Sequence, residues 1–221
     1  MIAVLGFAGT VFSASAFAAV AVPTADLAAG KAIADSNCAA CHGATGVSVA
    51  PAQPNLGGQH LTYLYKQLVD FKTGARANGI MKAQLAGLTQ QDLANVAAYY
   101  AAQTPWLAGY GNKATTAEAT KLYLGGDKSR GVIPCAGCHS PNGGGNAWAA
   151  FPRLGGQHSL YISTQLKLFR AAGRDDEGLM AEQKRTNDSA KPTEKGMMQT
   201  VAAKLTDKDI RILSDYLSAV H

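Results

Sequence analysis

Charge is scarce in this sequence: 16% of its residues are Asp, Glu, Lys or Arg, and only 7% are aromatic. It has no Lys/Arg block of the kind that tracks phosphates, which argues against a nucleic-acid partner. No stretch alternates polar and apolar residues as a half-buried strand does, and the Ala-rich composition favours helix. Beyond residue 26 nothing resembles a transmembrane segment. Cysteine is confined to four residues in 221, too few to staple a chain of this length as a disulfide framework.

Charge is missing altogether from Ile2 to Val22, a run that passes through small residues to Ala16-Phe17-Ala18. That triplet fits an A-x-A cleavage site, so an export signal over residues 1–18 is expected, although no Lys or Arg precedes the apolar run. The alternative is an uncleaved anchor: about 20 apolar residues span a bilayer core, but the abundance of Ala, Gly and Ser makes this stretch weakly hydrophobic. The formal charge of +5 is uneven, with five Lys/Arg against four Asp/Glu in residues 1–110 and fifteen against eleven in 111–221. Such a surface suits an acidic protein patch or a membrane face.

What the sequence does have is an internal repeat. Cys38-Ala-Ala-Cys41-His42 recurs 97 residues later as Cys135-Ala-Gly-Cys138-His139. Pro54-Asn-Leu-Gly-Gly-Gln-His60, followed by Tyr63, Gln67, Leu68 and Phe71, recurs 98 residues later as Pro152-Arg-Leu-Gly-Gly-Gln-His158 with Tyr161, Gln165, Leu166 and Phe169. Leu88 through Tyr99 returns as Leu205 through Tyr216 at an offset of 117, so the second copy carries about 19 extra residues. They lie near Arg174 to Lys195, polar and charged enough to suit an exposed loop. A Pro-, Gly-, Thr- and Asn-rich stretch joins the copies, and we divide the chain into units 24–104 and 117–221 with a linker over 105–116.

Each copy reads as three helices: one ending in the Cys-x-x-Cys-His motif, one from Gln59 or Gln157, and one from Thr89 or Thr206. Thr89-x-x-Asp92 and Thr206-x-x-Asp209 place a hydroxyl at the N-cap and a carboxylate at the third helical position. Three helices in about 90 residues bury little apolar surface. An isolated copy needs something to fill its middle.

The motif says what. Two thiols three residues apart reach the two vinyl-derived positions of a porphyrin, and the adjacent His projects onto the iron, so two covalently attached haem c groups are expected, one per copy. Structural zinc requires both Cys pairs to converge on one ion. A thioredoxin-like dithiol expects a strand-helix context and has no need of a following His. Cys38, Cys41, Cys135 and Cys138 are therefore the attachment residues, and His42 and His139 the first axial ligands.

For the sixth position Met or His is usual. Met81 lies seven residues before Leu88, and Met198 seven before its counterpart Leu205, which selects these two and ranks Met198 above Met197. Met180 falls in the extra segment. His60 and His158 also recur, which keeps bis-His ligation open, but each sits near a helix start, where an exposed or capping His is commoner. His221 reads as a solvated terminus. The carbonyls of Pro54 and Pro152 are candidate acceptors for the other ring nitrogen of each axial His. Tyr63, Tyr161, Gln67 and Gln165 suit a haem pocket, the face between copies or ordinary helix packing. Trp106 and Trp148, without repeat partners, read as packing residues.

Together these motifs resemble the cytochrome c4 family over nearly all of the chain after the export segment. The resemblance rests on the tandem Cys-x-x-Cys-His units, the Pro-x-Leu-x-Gly-Gln segments and Met81 and Met198 placed before the final helices. It implies an all-α protein of two tandem class I cytochrome c domains related by a pseudo-twofold axis. It also implies a periplasmic electron carrier, a monomer, between a bc1-type complex and a haem-copper terminal oxidase, often of the cbb3 type. The long segment before Met198 departs from the family pattern. The competing readings are a dihaem peroxidase, which needs an open sixth site and a distal base, and a membrane-anchored cytochrome subunit of an oxidase or dehydrogenase.

Overall fold

A computed structural model describes residues 21–106, 109, 111–189, 191 and 193–220. The expected signal over 1–18, its cleavage after Ala18, and His221 lie outside the described residues. In the first half, α1 (Leu27–Ile33) continues through a π-helical turn (Ala34–Cys38) into the short α2 (Ala39–His42). It is followed by α3 (Leu61–Thr73), α4 (Gly79–Leu85) and α5 (Gln90–Ala101). The second half has α6 (Lys113–Gly125), α7 (Ala136–His139), α8 (Ser159–Arg174), a 3-10 turn at Ala181–Gln183, α9 (Met197–Ala202) and α10 (Asp207–Ala219). Among the described residues, pairing of extended chain is limited to two isolated bridges, Asp127 with Val132 and Asn146 with Phe151. No helix among them is long and apolar enough to cross a membrane.

The final helices start where the caps place them. Thr89 Oγ1 accepts from Asp92 N at 3.2 Å while Asp92 Oδ2 accepts from Thr89 N at 2.8 Å; Thr206 and Asp209 repeat this at 3.1 and 2.8 Å. Asp26 caps α1 through Ala28 N and Ala29 N, and its own N–H donates to Asn95 Oδ1 on α5 at 2.9 Å. These two helices cross at Gly30, where a Cβ would lie 2.1 Å from the Asn95 carbonyl oxygen, so only glycine permits the approach.

Two separate apolar clusters result. Leu64, Tyr65, Leu85, Leu93, Val96 and Tyr100 centre the first, with Cys38 and Met81 packed against it. Tyr123, Ile162, Phe169, Leu205, Ile212 and Leu213 centre the second, with Cys135 and Met198 packed against it. Burying a Leu, Ile or Phe is worth roughly 1.5–3 kcal/mol each, and clusters this small leave each half dependent on a further apolar filler.

The expectation of three helices per copy needs correction in two places. A short helix carries each Met, α4 in one half and α9 in the other. The first helix of the second half does not end in the motif: α6 stops at Gly125, and the loop through the Asp127–Val132 bridge intervenes before Cys135. The tryptophans are also corrected, since Trp148 is 96% exposed and Trp106 is 53% exposed, and neither sits in a core cluster.

The extra segment is not simply an exposed loop. Residues 175–183 are exposed, but Arg185 and Asn187 are buried against the first half. Arg185 N–H donates to Leu168 O and Arg76 N–H to Asp70 O, both at 3.0 Å, and each guanidinium lies 4.4 Å from the ring of Phe169 or Phe71. Arg185 is thus the counterpart of Arg76. The register is 98 at Phe169, 109 at Arg185 and 117 at Met198, so eleven of the extra residues precede Arg185 and eight follow it.

Candidate functional site

Of the motif cysteines, Cys41 is exposed and Cys38, Cys135 and Cys138 are half-buried, and none of the four is in a disulfide. Burial pushes the Cys38 and Cys135 thiols up to about 11. A redox dithiol needs the opposite, a thiol drawn down towards neutrality. The two pairs belong to separate halves, and among the described residues no three His, Cys, Asp or Glu side chains group into a metal-holding cluster. Convergence on one zinc ion has no basis in this geometry.

His42 and His139 are buried, and the Nδ1 of each lies 3.0 Å from the carbonyl oxygen of Pro54 or Pro152 respectively. Burial lowers the pKa of both imidazoles, with the carbonyl acting in the other direction. A neutral ring that donates from Nδ1 keeps a lone pair on Nε2, and among the described residues Nε2 makes no hydrogen bond. The turn after each His is pinned by a tyrosine hydroxyl, from Tyr100 of α5 to Gly43 O at 3.2 Å and from Tyr123 of α6 to Ser140 O at 2.7 Å. Repeat comparison misses this equivalence, because the two tyrosines come from different helices.

Met81 and Met198 are half-buried on the same clusters as Cys38 and Cys135. Met197 is 42% exposed and Met180 is 66% exposed, and neither packs on a core. Met81 N–H donates to Asn78 Oδ1 at 2.9 Å, and Met198 N–H to Asp188 Oδ2 at 2.6 Å. Asp188 also accepts from Gln199 N and Gln199 Nε2, at 3.2 and 2.7 Å. The cap is neutral in the first half and anionic in the second.

His60 and His158 stand at the starts of α3 and α8, as expected of them, but cap neither helix. Instead His60 Nε2 donates to Gly144 O and His158 Nε2 to Ser48 O, both at 2.9 Å, across the boundary between halves. Tyr63, Gln67, Tyr161 and Gln165 belong to that boundary too. Arg76 donates to Gln67 Oε1, Tyr161 OH and Gln165 Oε1 at 2.7, 2.9 and 2.7 Å. Arg185 donates to Gln165 Oε1, Tyr63 OH and Gln67 Oε1 at 2.9, 3.1 and 2.9 Å. The exchange of equivalent partners is that of a pseudo-twofold axis.

Each half therefore carries two thiols, a buried imidazole whose Nε2 makes no hydrogen bond among the described residues, and a half-buried thioether. That donor set fits a covalently held haem. Arg153 Nε adds a further sign, being buried with no hydrogen-bond partner among the described residues. A group bearing carboxylates supplies the acceptor it lacks.

Comparison with known proteins agrees. The cytochrome c family model matches residues 27–104 and again 133–221. Cytochrome c4 of Pseudomonas aeruginosa is 43% identical over 196 residues, covering 89% of each chain. This chain belongs to the cytochrome c4 family. The crystal structure of reduced recombinant cytochrome c4 from Pseudomonas stutzeri superposes with a TM-score of 0.76 at 39% identity, covering 90% of this chain and all of that one. A thiosulfate dehydrogenase electron acceptor of Stutzerimonas stutzeri (strain A1501) is 33% identical over 186 residues, covering 83% of this chain and 78% of that protein. The fold is accordingly all-α with two cytochrome c domains. The protein is a dihaem electron-transfer cytochrome, with one haem c for each Cys-x-x-Cys pair.

Proposed function

We propose that the protein is a periplasmic, monomeric electron carrier rather than an enzyme, taking electrons from a bc1-type complex and delivering them to a haem-copper terminal oxidase. After a signal over residues 1–18 the chain divides into domains 24–104 and 117–221, joined by 105–116. In the first, Cys38 and Cys41 carry the thioether links, with His42 and Met81 axial. In the second, Cys135 and Cys138 carry them, with His139 and Met198 axial. The haem supplies one-electron cycling between ferric and ferrous iron. The chain's own contribution is to bury it, fix both axial positions and hold the imidazoles through Pro54 and Pro152.

The observation that supports this reading best is the duplicated ligand set. Both histidines are oriented from Nδ1 at 3.0 Å, and a half-buried Met packs on each cluster. A peroxidase needs one half to differ, with an open position and a distal base. A half-buried Met at the corresponding place in both halves favours the carrier.

The test is anaerobic stopped-flow mixing of the holoprotein with a reduced bc1-type complex, then of the reduced protein with cbb3-type oxidase. Fast reduction and oxidation of both haems, with no turnover of added peroxide, is expected; steady-state peroxide consumption overturns the reading. The likeness to a thiosulfate dehydrogenase electron acceptor favours a second donor of the same kind. Reduction by thiosulfate dehydrogenase and thiosulfate, faster than by the bc1-type complex, selects it.

A further inference from the structure

The carbonyl of Pro54 and the N–H of Asn55 are two ends of one peptide group. The carbonyl accepts from His42 Nδ1 at 3.0 Å, and the N–H donates to Oε1 of Gln157, in the other domain, at 2.9 Å. The arrangement is duplicated: Pro152 O accepts from His139 Nδ1 at 3.0 Å, and Arg153 N–H donates to Gln59 Oε1 at 2.8 Å. Each glutamine is locked. Gln157 Oε1 accepts a second N–H from His158 and Gln59 Oε1 one from His60, both at 3.0 Å, while each Nε2 donates to the carbonyl of Asn55 or Arg153 at 2.9 Å. With two N–H donors pointing at one atom, that atom must be the oxygen. Asn55, Gln59 and Gln157 are buried.

We infer that Gln157 tunes the electron-donating strength of His42, and Gln59 that of His139, each acting across the domain boundary through one peptide group. A peptide whose N–H is engaged by an acceptor carries more negative charge on its carbonyl oxygen, and such chains strengthen one another away from water. A stronger acceptor at Pro54 draws the Nδ1 proton of His42 and makes the imidazole a better donor at Nε2. A better donor favours the oxidised iron and lowers the potential. The connection is crossed, so a disturbance of one domain's glutamine is read by the other domain's axial ligand. This rests on the axial roles proposed for His42 and His139.

Gln157→Met and Gln59→Met, made in the full haem-loaded chain, remove the acceptor with little change in volume. Spectroelectrochemical titration reads the potentials, with the two centres told apart by adding Met81→His or Met198→His to shift one of them away. Nitrogen-15 histidine NMR of the reduced protein reads exchange of each axial Nδ1–H independently. Gln157→Met is expected to raise the potential of the His42 centre and speed exchange of its ring N–H, leaving the His139 centre unmoved; Gln59→Met gives the mirror result. Should the Met variant not accumulate as holoprotein, Gln157→Asn withdraws the same oxygen by one methylene and is expected to shift the same centre in the same direction. Movement of both centres together, of the centre in the substituted domain, or of neither, refutes the crossed tuning. If the Met→His backgrounds themselves shift no potential, the ligand assignment is wrong instead.

Discussion

Replacing Arg185 by Met removes the cation that ties the extra segment to the first domain, and its cost can be set against that of Arg76→Met partner by partner. Without Arg185, Gln67 Oε1 still receives Arg76 and Asn187, and Gln165 Oε1 still receives Arg76. Tyr63 OH and Asn187 Oδ1 lose their only partners among the described residues. Without Arg76 only Tyr161 OH is left in that position, because Arg185 serves both glutamines. An orphaned, partly buried acceptor costs about 1 kcal/mol or more, and the lost stacking on Phe169 or Phe71 about 1 kcal/mol. Relief of a desolvated guanidinium offsets part of each. Before that offset, which is common to both, Arg185→Met is expected to destabilise by about 3 kcal/mol and Arg76→Met by about 2 kcal/mol. The double variant also orphans Gln165 Oε1, so it exceeds the sum of the singles by about 1 kcal/mol. Urea unfolding of the holoprotein, followed by far-UV circular dichroism, measures all three. An Arg76→Met cost equal to or above that of Arg185→Met, or strict additivity in the double variant, refutes the reasoning.

Asp188→Ala strips three hydrogen bonds from the start of α9. It is expected to cost about 1–2 kcal/mol and to weaken the methionine-to-ferric-iron absorption of one haem only, read by thermal titration of the visible spectrum. Gly196→Ala reaches the same cap from the other side, since its Cβ would lie 2.2 Å from Asp188 Cγ, and the same single haem should respond. Gly30→Ala forces α1 off α5 and is expected to cost about 2 kcal/mol or more in urea unfolding. Burial pushes the Asp209 carboxyl up, but Arg130 and the Thr206 cap outweigh it and hold it below the usual carboxylate range. A depressed folded pKa contributes stability above the unfolded value that is lost as pH falls through the folded one. Asp209→Asn should therefore flatten the acid limb of the stability–pH curve below about pH 4, measured by urea midpoints; an unchanged slope contradicts the assignment.

The repeated motifs were legible because the two halves carry the same residue types at fixed spacing. Cys38 to His42, Pro54 and Met81 have counterparts at offsets of 97, 98 and 117, and the caps at Thr89 and Thr206 announce the helices that follow. What escaped was whatever one half solves with a different residue. Tyr100 and Tyr123 do the same work from different helices, Asn78 and Asp188 cap the Met helices from three and ten residues away, and Arg185 sits at a register shared with nothing else. A charged segment also reads as solvated until a partner surface of unsatisfied oxygens is known, which is why the burial of Arg185 and Asn187 was not legible. His60 and His158 gave the right place and the wrong role, because a bond to a carbonyl some 84 or 110 residues distant leaves no local pattern.

The most direct test of the account is near-infrared magnetic circular dichroism of the ferric protein beside Met81→Ala and Met198→Ala. The account predicts a methionine-sulfur signature from both haems in the wild type, and loss of one haem's contribution in each variant with the other unchanged. A variant that keeps both contributions, or a wild type with bis-histidine bands, would contradict it.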